Sequence, residues 1–111
     1  MSLYAEYIKE RQGFECLENE YSFITYKKID DFVFIEDLYI KPEARREGKG
    51  TELGEQVEDI AIELGCKALV TTVDTSTNNW EASLQGILKF GFNLVNQDKT
   101  CLYFNKELAN G

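Results

Sequence analysis

The 111-residue sequence contains no histidine. That removes the commonest general base and with it every Ser–His or Cys–His nucleophile pair. Cysteine is sparse as well: Cys16, Cys66 and Cys101 are odd in number, far apart and without any C-x-x-C spacing. Neither a zinc site nor a disulfide framework is expected, and buried reduced thiols are. No apolar run approaches the ~18–20 residues needed to cross a bilayer, and the N-terminus has no signal-peptide core. The expectation is a cytoplasmic chain with no membrane partner. Basic residues are outnumbered, 12 against 20 acidic, and the net charge of -8 opposes nucleic acid as a general partner. With a single proline, no low-complexity stretch and no internal repeat, residues 1–111 read as one domain.

What is present suffices for a core. Hydrophobic residues make up 43% of the chain and aromatics 13%, a globular composition. Ser2 to Gln12 reads as a short helix with Leu3, Tyr4, Tyr7 and Ile8 on one side and Gly13 as its stop. Strand-like runs follow at Phe14 to Leu17, Tyr21 to Lys28 and Phe32 to Ile40, joined by links short enough for an antiparallel meander. Leu53, Val57, Ile60, Ala61 and Leu64 then form one helical stripe, which predicts an amphipathic helix from about Lys49 to Gly65. Ala68 to Val73 reads as a buried strand parallel to the run that ends at Ile40. Strand, loop, helix and strand make one βαβ unit. A second helix is expected from Asn78, where Asn78 and Glu81 have capping-box spacing; Trp80, Leu84, Ile87 and Leu88 mark its face and Gly91 its end. Phe92 to Asn96 and Thr100 to Asn105 form a hairpin around Gln97, Asp98 and Lys99. The fold class is α+β with a mixed sheet: an antiparallel meander, a βαβ unit, a helix and a C-terminal hairpin.

Between Ile40 and the first long helix lies the most informative stretch. Pro42 breaks the strand, and Lys41, Arg45, Arg46 and Lys49 stand against Glu43 and Glu47, four cations against two carboxylates. A basic island on an acidic chain suits one compact anion. The first turn of a helix presents unpaired backbone N–H groups and the positive end of the macrodipole, and glycines beside it let a phosphate reach the main chain. A Walker loop would need glycine where Glu43 stands, and a dinucleotide fingerprint would need one at Leu53. The spacing present is Arg-x-x-Gly-x-Gly, from Arg45 to Gly50.

In its strand–loop–helix–strand setting this stretch resembles the GNAT superfamily of acyl-CoA N-acyltransferases, whose signature is (Gln/Arg)-x-x-Gly-x-(Gly/Ala). The resemblance runs from about Phe14 to Phe104 and is most specific from Leu38 to Val73. It implies acetyl-CoA as acyl donor, coenzyme A as product, and acetyl transfer to a primary amine by direct attack in a ternary complex. The amides of Arg45, Arg46, Glu47, Gly48, Lys49, Gly50 and Thr51 would hold the diphosphate. Strand groups at Leu38, Tyr39 and Ile40 would pair with the pantetheine arm and the thioester, and Asn79 and Ser83 would meet the arm from the second helix.

Glu36 is the candidate general base, acting directly or through water at a pKa raised by burial. Asp37, expected on the opposite face of the strand, stands in reserve. The family's proton donor is a tyrosine near the end of the last helix, and the matching position here is Ile87, or Gly86 counting from Asn79; neither can donate. Solvent, Ser83 or Tyr103 are the substitutes. The family's opening strand and two helices are reduced to one short helix, so the acceptor site is either open or completed by a second subunit of a homodimer. Both departures favour the alternative reading, a non-catalytic coenzyme A-binding or protein-interaction module. No metal site is expected. The acidic surface either attracts a cationic amine acceptor or serves solubility alone.

Overall fold

The computed structural model describes residues 2–45 and 47–109. Its elements are α1 (Leu3–Gln12), β1 (Glu15–Glu18), β2 (Ser22–Ile29), β3 (Phe32–Ile40), a 3-10 turn (Pro42–Ala44), α2 (Lys49–Glu63), β4 (Ala68–Asp74), α3 (Trp80–Phe90), β5 (Asn93–Asp98) and β6 (Cys101–Glu107). The six strands form one sheet in the order β1-β2-β3-β4-β6-β5. Only β3 and β4 pair in parallel, as the βαβ reading requires; β1–β2, β2–β3, β4–β6 and β5–β6 are antiparallel. No helix among the described residues is long and apolar enough to cross a membrane.

Local chemistry explains where the helices begin and end. The Ser2 hydroxyl accepts from the Ala5 amide at 3.0 Å, which caps α1, and Gly13 ends it in the left-handed region. In α2 the predicted stripe is buried at Leu53, Val57 and Ala61, packed with Ile24 and Val33 of the sheet. Leu64 leaves the stripe and is half exposed, because the helix stops at Glu63 and Gly65 turns the chain left-handed. α3 lies beside α2. Gly54 makes that approach feasible: a Cβ there would fall 2.9 Å from the Phe90 ring. The core-facing side of α3 runs through Trp80, Leu84, Ile87 and Phe90, all partly buried, whereas Leu88 is half exposed. α1 packs on the other side of the sheet, where its Tyr4 ring meets Phe23 at 5.2 Å.

Two expected details are corrected. Asn78 does not cap α3, which begins at Trp80 behind a left-handed Asn79 with no side-chain cap bond. The polar work passes to Asp74, whose Oδ1 accepts from the Ser76 amide at 2.9 Å and from the Ser76 hydroxyl at 2.7 Å, winding the loop from within. The last hairpin also turns later, at Lys99 and Thr100, with Lys99 at φ 55, so that β5 extends through Asp98.

Candidate active site at the splayed strand pair

The parallel pairing of β3 with β4 runs from Phe32–Ala68 to Ile35–Thr71 and stops there. Both strands continue, β3 to Ile40 and β4 to Asp74, so they part into a slot. The buried Thr71 hydroxyl donates to the Ile35 carbonyl at 2.9 Å, which closes the last rung. On the β2 side, Tyr26 pairs with Ile35 and Thr25 with Asp37, leaving Glu36 as the extra residue of a β-bulge. The Thr25 hydroxyl accepts from the Asp37 amide at 3.0 Å and so takes over a donor that the disrupted ladder would otherwise strand.

The bulge shifts the side-chain alternation by one residue. Val33 and Ile35 face the helix-packed core. Beyond the bulge that side is taken by Leu38 and Ile40, whose side chains approach Gly50 of α2. Tyr39 moves to the α1 side, where it stacks on Phe23 at 5.9 Å. Glu36 and Asp37 both act on the Tyr4 phenol of α1, adding to a rise in its pKa that burial mainly causes. The two carboxylates therefore lie toward one side of the sheet, against the expected opposite faces. Both are exposed, and the burial expected of Glu36 is not observed. The sequence hides the slip, because Phe32 and Phe34 stay in phase with Leu38 and Ile40 and both alternations carry apolar residues.

The glycine loop follows. The Arg45 amide donates to the Pro42 carbonyl at 3.3 Å, so it closes the 3-10 turn. The Arg45 side chain folds back: its Nε donates to the Ile40 carbonyl at 3.0 Å and its guanidinium lies 5.9 Å from the Tyr39 ring centre. Arg46 lies outside the described residues. Glu47 and Gly48 are exposed and form the turn into α2. Gly48 is left-handed (φ 80), no atom lies within 4 Å of where its Cβ would stand, and it caps α2 without a side-chain bond. Its carbonyl accepts the Glu52 amide at 3.0 Å, so the amides of Lys49, Gly50 and Thr51 form the first turn, which has no intrahelical acceptor. Gly50 is glycine for a different reason. A Cβ there would fall 2.5 Å from Ile40 Cδ1 and 3.4 Å from Leu38 Cδ2. The start of α2 is thus pressed onto the strand that forms one wall of the slot.

The other wall is the end of β4 and the start of α3. Asn79 is exposed and its carbonyl accepts from the Ala82 and Ser83 amides at 3.1 and 3.3 Å; Ser83 is exposed one turn on. Ile87 packs against the core, and Gly86 opens onto a cleft that it shares with Thr51 and Phe90. Tyr103 of β6 stands directly opposite Thr72, the first β4 residue past the last parallel rung. The β4–β6 register, the bulge and the two threonine hydroxyls that fix the slot were not anticipated from sequence.

The chain matches the model of the acetyltransferase (GNAT) family over residues 6–92. A bovine (Bos taurus) thialysine N-epsilon-acetyltransferase is 35% identical over 49 residues, which is 44% of this chain and 28% of that enzyme. Among solved structures, the PaiA N-acetyltransferase of Thermoplasma acidophilum, in complex with coenzyme A, superposes with TM-score 0.72 at 23% identity, over 78% of this chain and 53% of that one. The ribosomal-protein-S18-alanine N-acetyltransferase of Escherichia coli gives 0.70 at 16%, over 97% and 77%. The anti-CRISPR protein AcrVA5 gives 0.71 at 19%, over 84% of this chain and 97% of that one. At these identities the structural matches establish the fold, and the chain spans little more than a quarter of the bovine enzyme's length.

Proposed function

The chain belongs to the GNAT acetyltransferase family, and we propose that it transfers an acetyl group from acetyl-CoA to a primary amine by direct attack in a ternary complex. The observation that carries this reading is the start of α2: an uncapped helix N-terminus, approached over an open left-handed Gly48 and seated at the mouth of a splayed parallel strand pair. That arrangement fits a diphosphate on the first-turn amides, favoured by the macrodipole, with the attached arm entering the slot. The residues that hold the donor are then Gly48, Lys49, Gly50 and Thr51 at the diphosphate, Leu38, Tyr39 and Ile40 along one wall, and Asn79 and Ser83 along the other. The donor supplies an activated acyl carbon. The chain's part is to orient it and to keep the amine neutral.

Glu36 is the base in this reading. Raised out of register by the bulge at the apex of the slot, it takes the amine proton directly or through water. Asp37, held beside it by the Thr25 bond, is the second carboxylate within reach. Tyr4 of α1 lies near both carboxylates, yet Glu36 and Asp37 remain exposed to an approaching amine. The acceptor class follows from charge: two exposed carboxylates at the apex attract a protonated amine on approach and accept its proton on arrival. A lysine-like ε-amine, as in the name of the bovine relative, is the first acceptor to try.

Calorimetric titration with acetyl-CoA and with free coenzyme A tests donor binding. Thiol release from acetyl-CoA over thialysine, lysine, polyamines and amino sugars tests transfer. Folded protein that takes up no acetyl-CoA at millimolar concentration refutes the proposal. A second reading, a coenzyme A-binding module without catalysis, is favoured by the absence of a tyrosine at Gly86 and Ile87; binding without thiol release for any amine supports it.

A further inference from the structure

We infer that the Arg45 side chain reads the acceptor and not the donor. Its guanidinium takes a carboxylate at the far end of the molecule whose amine lies at Glu36 and Asp37, so the preferred acceptor is a free ω-amino acid of lysine length. The inference rests on the acetyl-transfer reading above.

Past the bulge, the two faces of β3 serve different elements. Leu38 and Ile40 approach α2, whose first turn is the seat of the diphosphate. Tyr39 lies on the other face, in a row of rings: it stacks on Phe23 at 5.9 Å, and Phe23 meets Tyr4 of α1 at 5.2 Å. The Arg45 guanidinium joins that row, 5.9 Å from the Tyr39 ring centre, while its Nε donates to the Ile40 carbonyl at 3.0 Å. The side chain is thus turned to the α1 side, away from the first turn of α2. Asp37, two residues before Tyr39, shares this face, and with Glu36 it acts on the Tyr4 phenol.

The row therefore has carboxylates at one end and a cation at the other. A guanidinium carries five N–H donors, and Ile40 takes one of them. Among the described residues no carboxylate pairs with Arg45, and its side chain is exposed. Anchored at Nε, it is pre-set to receive a planar anion through its remaining donors. Asp37 and Ile40 are three residues apart, about 10 Å of strand. An extended ω-amino acid of lysine length spans ~7.5 Å from amine nitrogen to carboxylate carbon. A charge-assisted contact adds ~2.8 Å. The apolar stem then lies along the rings. A simple monoamine would leave the guanidinium unpaired, and a diamine would set a second ammonium against it. A lysine within a protein has its carboxyl committed to a peptide bond.

6-Aminohexanoate and hexylamine test this, because they share amine and stem and differ in the carboxylate. In thiol-release assays the parent should favour 6-aminohexanoate in kcat/KM by roughly 10- to 100-fold, mainly through KM, the range of hydrogen bonds to a charged group. Arg45→Gln should bring the two amines within about 3-fold of each other. Arg45→Lys, which keeps the charge and loses the fork, should retain part of the preference. Calorimetry of 6-aminohexanoate on protein loaded with free coenzyme A should give the same order of affinities without turnover. Equal kcat/KM for the two amines in the parent, or a preference that survives Arg45→Gln, overturns the inference. So does a loss in Arg45→Gln that falls on coenzyme A affinity and spares the preference, which would return Arg45 to the donor. A parent that binds coenzyme A but releases no thiol with any amine overturns the acetyl-transfer reading itself, and the inference with it.

Discussion

Gly48→Asp separates binding from folding at the loop. The residue is left-handed and nothing stands within 4 Å of its Cβ position, so an aspartate meets no steric obstacle. The left-handed conformation costs about 1–2 kcal/mol for an ordinary residue, less for Asp. An Asp at a helix N-cap returns roughly 0.5–1 kcal/mol through capping and the macrodipole. The two effects nearly cancel, and thermal unfolding should move by only a few degrees. Binding should respond much more. A carboxylate about 5 Å from each of two phosphate charges costs ~0.8 kcal/mol per pair in bulk water and ~3 kcal/mol at an effective dielectric of 20. Gly48 is exposed, which favours the lower figure. Two pairs then sum to about 1.7 kcal/mol or more, a loss of at least roughly 15-fold in affinity for acetyl-CoA. Calorimetry at low and high salt is the assay, and the loss should shrink as salt screens the charges. Gly65→Asp is the matched control: Gly65 is also left-handed and open, but lies at the far end of α2, ~22 Å away by helix rise. Folded Gly48→Asp that binds acetyl-CoA within about 3-fold of the parent would refute the placement of the diphosphate and the use of the helix terminus with it.

Three further outcomes follow from the same geometry. Glu36→Gln should lower turnover by about 10²-fold or more while leaving acetyl-CoA affinity nearly unchanged; equal rates would move the proton to Asp37, to water, or to no protein group. Thr71→Val keeps the shape but removes the donor to the buried Ile35 carbonyl, which should cost about 1–3 kcal/mol in denaturant unfolding, and a neutral result would show that the carbonyl finds another partner. The Cys16 thiol is pushed up to about 11 from 9.0, by burial first and by Glu18 second. Its folded pKa is raised, so the folded state holds the proton more tightly, and this contribution to stability is present below about pH 9 and lost as pH rises toward 11. At pH 8, Cys16 should therefore alkylate more slowly than a free thiol, and a fast reaction in the folded state would contradict that environment.

The order of elements was readable from sequence because its causes are local. A stripe at helical spacing buries one face wherever it is folded, and Leu53, Val57 and Ala61 do so. Gly13, Gly48, Gly65 and Gly91 are all left-handed, and each stands where a helix begins or ends. The errors occur where local signals compete. Asn78 and Glu81 have the spacing of a capping box, but Asp74 winds the preceding loop and leaves Asn79 in the cap position. The last hairpin offered several turn-forming residues in a row, and strand pairing selected Lys99 and Thr100.

The sequence by itself determined the helices, the meander, the βαβ unit and the Arg45-to-Gly50 spacing, since periodicity and glycine placement act within a few residues along the chain. Tertiary structure decided which groups face the slot. Pairing with β2 lifts Glu36 out of register and brings it and Asp37 to the same side. Contact with the end of β3 draws the Arg45 side chain onto Ile40 and Tyr39. The β4–β6 register sets Tyr103 beside Thr72, across some 30 residues of sequence. Such placements depend on cross-strand hydrogen bonding, where a shift of one residue exchanges the two faces of a strand.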